Sequence, residues 1–551
     1  MLSSAIASDI TEVAARLGLD PASIRRYGDD KAKIDHRIGA AGGAGASVGR
    51  LVLVSAMTPT PAGEGKTTTS IGLADGLRHL GRRACVALRE PSLGPCFGLK
   101  GVGTGFGRAR LVPTADINLH FTGDFHALTS AHDLLAALVD NHLHQRHEPA
   151  LDPARVTWRR VLDVNDRALR SVQLGGGHNG PARTGGFDIT AASEIMAILA
   201  LATSAADLRA RLARTVVGYG PDGEIVTARE IGAVGAMMAL LRDAIDPNLV
   251  QSAEGTPALV HCGPFANIAH GVCSVMAIRA GMSLAEWTVV EAGFGFDLGG
   301  EKFFDLVCPA GGFAPAAVVV VATVRALKMH GGRAVVDLAA PAPAAVERGL
   351  PNLARHLTGV ARFGRPAVVA INRFDGDGDD ELAVIRSFCQ ARAVPAAVIT
   401  ATRDGAPGAA ALADLVIDHA LASPVRPSPV LYPADAPLPA KLDAIARTLY
   451  GARGVVLSDE ARAGLAELER TGFAHLPVCV AKTQASFTDD PTRLGAPDDF
   501  DITIRRLQLA AGAGFVVAMA GSIVRMPGLP AHPRALDIDL DDVTGEITGL
   551  A

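Results

Sequence analysis

Apolar residues in this chain fall into short continuous runs separated by longer stretches with helical spacing. The runs Leu51–Ala56, Ala84–Leu88, Ala258–Val260, Thr288–Glu291, Ala317–Val321, Ala334–Val336, Ala367–Ile371 and Ala396–Thr400 read as strands. Most are apolar at every position and not at alternate ones, as in strands of a parallel sheet covered on both faces. The stretches Thr68–Leu80, Ala191–Leu201 and Leu382–Ala391 between them fit right-handed crossover helices. The pattern predicts the α/β class, with a doubly wound, mostly parallel sheet.

Pro- and Gly-rich punctuation at Ala340–Ala344 and Ser423–Pro439 suggests boundaries. The expected units are 1–335, a domain built on a phosphate loop, and two smaller α/β domains, 336–435 and 436–551. The last begins with a helical stretch, Leu442–Tyr450, and closes with strand-like segments, Ile502–Leu509 and Gly514–Met519.

Length and charge change this picture little. At 551 residues the chain exceeds one ordinary core. A net charge of −5 with no basic stripe makes nucleic acid an unexpected partner. The seven cysteines form no Cys-x-x-Cys pair, so reduced thiols in a reducing compartment are expected. Met1–Asp20 lacks the pattern of a signal peptide. The longest apolar stretch, Ala314–Val324, is too short to cross a membrane. A cytoplasmic protein is the expectation. The 60 glycines reflect codon bias for the most part.

The strongest chemical signal follows the first clear strand. Thr58-Pro59-Thr60-Pro61-Ala62-Gly63-Glu64-Gly65-Lys66-Thr67-Thr68 leads into an amphipathic helix. Strand, glycine-containing loop, Lys-Thr and helix are the context of a P-loop. Glycines let backbone N–H groups turn inward around phosphate oxygens, and the helix N-terminus adds partial positive charge. Lys66 would neutralise the β- and γ-phosphates, and Thr67 would ligate Mg²⁺. The usual pattern has a glycine where this chain has Thr60.

Other strand ends carry weaker signals. Arg89, after Ala84–Leu88, suits an anionic intermediate or a structural ion pair. His120, Asp124 and His126 lie within one short run. Metal ligation by these histidines is disfavoured because no further ligand recurs nearby. Asp124 suits a polar anchor near the reacting carbon. Asn372-Arg373-Phe374-Asp375 is similar to a guanine-reading Asn-Lys-x-Asp motif, with Arg in place of Lys. Glu291 or Asp297 would bind Mg²⁺ through water, as acidic groups at strand ends do.

Together these segments resemble the formate–tetrahydrofolate ligase family almost end to end. The resemblance is carried in order by Thr58–Leu77, Leu88–Lys100, Asp116–Ala127, Val161–Arg170, Gly186–Ile198, Pro247–His270, Glu291–Asp305, Ala322–Gly332, Asn352–Phe374, Leu476–Pro497 and Ala511–Pro530. It implies that ATP, with Mg²⁺, phosphorylates formate, and that the amine of tetrahydrofolate then takes the formyl group from formyl phosphate. It implies catalytic roles for Lys66, Arg89 and Asp124, with Arg89 cradling formyl phosphate, and a water-excluding cover at Gly101–Gly107. It further implies activation by K⁺ or NH₄⁺ and a homotetramer. Phe374 matches one aromatic of the folate site.

The chain departs from the family around the pterin. Thr402 stands at the tryptophan position of the folate site, Arg108 where a glycine-rich run usually ends in tyrosine, and Ala485 where a tyrosine usually follows Lys482-Thr483-Gln484. Weaker or re-posed folate binding is therefore expected. Two other readings stay open at this stage: a relative with a changed acceptor, and a P-loop switch protein resting on Asn372–Asp375.

Overall fold

The continuous apolar runs become strands of one twelve-stranded sheet. The computed structural model describes residues 8–40, 48–422 and 427–550. Residues 1–7 of the N-terminal segment and 423–426 of the Pro-rich boundary lie outside them. In chain order the strands are β1 (Ile24–Arg26), β2 (Ala32–Ile34), β3 (Arg50–Ala56), β4 (Ala84–Leu88), β5 (Gly105–Phe106), β6 (Ala109–Val112), β7 (Asn248–Ser252), β8 (Pro257–Val260), β9 (Trp287–Glu291), β10 (Ala317–Ala322), β11 (Ala367–Asn372) and β12 (Ala396–Ile399). Across the sheet they run β1-β2-β7-β8-β4-β9-β3-β10-β11-β12, with β6 also against β7 and β5 beyond it. The block from β8 to β12 is parallel throughout. The β1–β2–β7–β8 edge is antiparallel.

Burial on both faces explains the unbroken hydrophobicity. In β3, Leu51 and Leu53 join one core while Val52 and Val54 join the core on the opposite face. In β10, Val318 and Val320 face the first core, and Val319 and Val321 the second. All are 0–1% exposed, and each such side chain contributes about 1.5–3 kcal/mol. The parallel block is thus a rigid platform for whatever its carboxyl ends carry.

The chain leaves β3 in one direction toward β4 and later crosses to β10 on the other side. β3 therefore flanks a topological switch point, where open α/β sheets leave a crevice for ligands. The helix after β3 is α1 (Lys66–His79). Further helices that matter below are α2 (Asp124–Gln145), α3 (Val324–His330), α4 (Pro343–Arg362) and α5 (Asp379–Ala391).

One expected strand is absent. Residues 334–336 form no strand; Val335–Asp337 is a single 3₁₀ turn, and Val336 is 89% exposed. The segment leaves α3 through Gly331-Gly332. Buried Lys328, paired with Glu381 at 2.7 Å, takes the carbonyls of Leu338 and Ala340 and holds the stretch as a turn. Residues 336–435 supply β11 and β12 to the large sheet and form no sheet of their own among the described residues. Residues 436–551 carry a separate sheet, β13 (Gly454–Leu457), β14 (Val478–Ala481), β15 (Asp501–Ala510) and β16 (Phe515–Ala520), in the order β13-β15-β16-β14. Its apolar residues share the core with Leu51 and Leu53. No described helix is long and apolar enough to cross a membrane.

Candidate active site

The loop between β3 and α1 takes its shape from two glycines. Gly63 and Gly65 have φ of 77° and 73°, the left-handed region that side chains disfavour. A β-carbon on Gly65 would lie 2.5 Å from Asn372 Nδ2. Thr60, where a third glycine is usual, needs no such φ. Its N–H donates to Glu64 Oε1 at 2.7 Å, so the buried Glu64 side chain braces the turn from within. Glu64 Oε2 also accepts from Thr323 Oγ1. Thr58, Pro59 and Thr60 form a buried root, Pro61 and Ala62 an exposed tip, and Gly63, Gly65, Lys66 and Thr67 are half-buried. Thr68, on the first turn of α1, is buried. The first N–H groups of α1 have no partners within the helix and so remain available to an anion.

Two strand ends meet beside this loop. Thr67 Oγ1 donates to Glu291 Oε2 at 2.8 Å, from the end of β9 beside β3. Arg89, from the end of β4, sets its guanidinium 3.7 Å from Glu291 Oε1 and donates to the Pro264 carbonyl at 3.1 Å. The Arg89 Nε is buried and finds no acceptor among the described residues. Desolvation pushes the Lys66 ammonium down to about 8; Lys100 and Arg89 add to this, and Glu291 and Glu64 oppose it. Desolvation, reinforced by Arg89, also lowers Lys100. Lys66, Arg89 and Lys100 therefore lie within electrostatic reach of one another, with Glu291 at the mouth and Glu64 buried beneath the loop. Such a surplus of positive charge suits a ligand carrying several negative charges.

Asp124 is paired to Lys33 and Asn248. It is 2% exposed at the start of α2, with Lys33 Nζ at 2.8 Å and Asn248 Nδ2 donating at 2.8 Å. Neighbouring Glu90 is pushed well above the usual carboxylate range by burial, with the charge of Asp124 adding to the effect. His120 and His126 are exposed.

Phe374 and Thr402 follow adjacent strand ends, β11 and β12. The Arg325 guanidinium lies over the Phe374 ring, 3.8 Å from its centroid, and donates to the Gly63 carbonyl. Phe374 is thereby joined to the phosphate loop. Asn372 is spent on that loop too, donating to the Glu64 carbonyl at 3.0 Å. This leaves it poorly placed to read a base. Thr402 is exposed and packs on Gly107, and its carbonyl accepts from the Arg108 N–H at 2.9 Å. Arg108 and Thr402 are thus in contact and form one patch. Asp297 is drawn away from the loop by Lys482, at 2.9 Å in the interior.

Lys100, Arg325, His330, Asn352 and His356 were not singled out from sequence. All but Lys100 lie more than 250 positions beyond the loop's start. Nothing local marks them as its neighbours.

A family model described as formate--tetrahydrofolate ligase matches residues 2–551. The chain is similar to the formate--tetrahydrofolate ligase of Paracoccus denitrificans, 54% identical over 543 residues, or 98% of this chain and 97% of the relative. It is similar to those of Hyphomonas neptunium, 53% identical over 545 residues, and Acidiphilium cryptum, 54% over 549 residues. Each alignment covers 98% of this chain and 97% of the relative.

Proposed function

Because the chain belongs to the formate–tetrahydrofolate ligase family, we propose that the cations gathered at Lys66, Arg89 and Lys100 are where ATP energises formate. The enzyme ligates formate to tetrahydrofolate in an ATP-dependent reaction. The observation that carries the site assignment is the meeting of Thr67, Glu291 and Arg89 at the mouth of the glycine loop.

In this reading the N–H groups of Gly63–Thr68 and the Lys66 ammonium hold the β- and γ-phosphates. Thr67 and Glu291 suit Mg²⁺, being a hydroxyl and a carboxylate side by side at the phosphate end of the loop; the ion would supply charge neutralisation there. A formate oxygen attacks the γ-phosphorus, the bond to the β-phosphate oxygen breaks, and ADP leaves with the electron pair. Arg89, whose Nε has no acceptor among the described residues, holds the resulting formyl phosphate. The folate amine then attacks the formyl carbon, the carbon–oxygen bond to phosphorus breaks, and the amine loses its proton as phosphate departs. Positioning and charge carry both steps.

Formate bearing ¹⁸O tests this sequence. The label should appear in inorganic phosphate, because the bridging oxygen comes from formate and stays with phosphorus. Product formation with unlabelled phosphate would rule the intermediate out.

Phe374 would stack one face of the pterin, with Thr402 at its open side. An aromatic face is worth on the order of 1 kcal/mol, about tenfold in affinity. Thr402→Trp should therefore lower the KM for tetrahydrofolate about tenfold. A KM unmoved by this change would dispose of the missing wall. The division into 1–335, 336–435 and 436–551, activation by a monovalent cation and assembly as a homotetramer belong to the same reading, on the strength of the family resemblance. Asp124 enters it as a buried anchor beneath the site, paired to Lys33.

A further inference from the structure

Thr58, the first residue of the phosphate loop, does not turn its side chain toward the loop's mouth. Its Oγ1 accepts from Asn352 Nδ2 at 3.0 Å and lies 2.9 Å from His356 Nε2. The hydroxyl thus joins Asn352 and His356 through a single oxygen. The Thr58 N–H reaches Asn352 Oδ1 at 3.3 Å, and the Thr58 carbonyl accepts from His330 Nε2 at 3.0 Å. Every polar group of Thr58 is thus held, by one residue at the end of α3 and two a turn apart on α4.

The same side chains reach the C-terminal part of the chain. Asn352 Nδ2 donates to the Gly495 carbonyl at 2.6 Å, and the Gly495 N–H donates to His330 Nδ1 at 3.1 Å. Only a neutral His330 with its proton on Nε2 satisfies both of its bonds. The His356 ring lies against Phe487, with centroids 4.7 Å apart. Arg355, between Asn352 and His356, donates to the Pro497 carbonyl at 2.7 Å. His330, Asn352 and His356 are all buried. Two histidines and an asparagine consequently connect the root of the phosphate loop to a segment more than 400 positions away.

We propose that His330, Asn352 and His356 are positioning residues for ATP, fixing Thr58 and making the loop's shape depend on the C-terminal segment Phe487–Gly495. The inference rests on the reading that this loop grips the triphosphate. None of the three side chains need touch substrate. Their work is to set the angle at which the loop leaves β3, so their loss should be felt in nucleotide binding and not in the later formyl transfer.

The test compares two pairs of variants in the full-length enzyme, with melting temperature followed in each. His330→Leu breaks both bonds. His330→Gln restores an amide donor and acceptor. Thr58→Val removes the hydroxyl at nearly constant volume, and Thr58→Ser restores it. His330→Leu and Thr58→Val should raise the KM for ATP about tenfold, with kcat at saturating ATP and the KM for formate within about threefold of the parent. His330→Gln and Thr58→Ser should return the KM for ATP most of the way. Should His330→Leu fail to fold, the Thr58 pair decides alone. A folded Thr58→Val enzyme with the parent's KM for ATP, parallel changes in all substrates, or no recovery in the conservative variants would overturn the proposal. Lys66→Ala, run alongside, separates the two layers. If it too leaves formate-dependent ADP formation unchanged, the loop reading itself is wrong; if it alone impairs ATP use, only the positioning role is lost.

Discussion

Lys66→Ala should lower formate-dependent ADP formation by at least two to three orders of magnitude while leaving the melting temperature close to the parent's. The ammonium is the one side-chain cation on the loop that reaches the phosphates in this account. No hydrogen bond of the fold depends on it among the described residues; the Ser70 contact at this position uses the Lys66 carbonyl. Its charge also predicts a pH dependence. Lys66 is depressed to about 8 by desolvation, so in the free enzyme it is protonated below that pH and neutral above it. The kcat/KM for ATP should hold up to about pH 8 and fall beyond it. Stability runs the other way. Between about 8 and the ordinary lysine value the unfolded chain binds the extra proton, so stability rises with pH there as affinity falls. Unchanged turnover in a folded Lys66→Ala enzyme would take the loop out of the mechanism.

Arg89→Ser should separate binding from chemistry. Arg89 lies on the far side of Glu291 from Thr67, with contacts to Glu291 and the Pro264 carbonyl but none to the loop itself. The KM for ATP should therefore stay within about threefold of the parent. Turnover should drop by two or more orders of magnitude, since the guanidinium stabilises charge that develops only as formyl phosphate forms and breaks. Removing it also leaves Glu291 with less positive charge around it, which would repel an incoming formate. A variant that loses nucleotide binding instead would place Arg89 in the ATP site. Steady-state kinetics with each substrate varied in turn distinguishes the two outcomes.

The loop and the strand platform were legible because their causes are local. Gly63 and Gly65 announce the left-handed turns, Lys66-Thr67 the helix start, and runs such as Ala317–Val321 the doubly covered strands. The 334–336 run misled because three apolar residues carry no information about a partner strand. Whether one is present depends on Lys328 reaching forward to Leu338 and Ala340. Glu291 was legible as an acidic strand end, but its bond to Thr67 was not, nor the pairing of Asp297 with Lys482 from the C-terminal part of the chain. Arg325 on Phe374, and the His330, Asn352 and His356 contacts to Thr58, are likewise products of tertiary folding. Their residue types fit either an ordinary core or a site, and only the parallel order of β3, β10 and β11 brings them together. The Asn372–Asp375 motif shows the converse. Its pattern suggested base reading, yet Asn372 spends its amide on the Glu64 carbonyl.

The central claim is that the amides and ammonium of Gly63–Thr67 grip a triphosphate beside Arg89. A crystal structure of the enzyme with Mg²⁺ and a non-hydrolysable ATP analogue examines this directly. The account predicts β- and γ-phosphate oxygens within hydrogen-bonding distance of the Gly63–Thr67 N–H groups and Lys66 Nζ, with the γ-phosphate facing Arg89. Phosphates bound elsewhere, with this loop unchanged and its amides turned away from them, would contradict it.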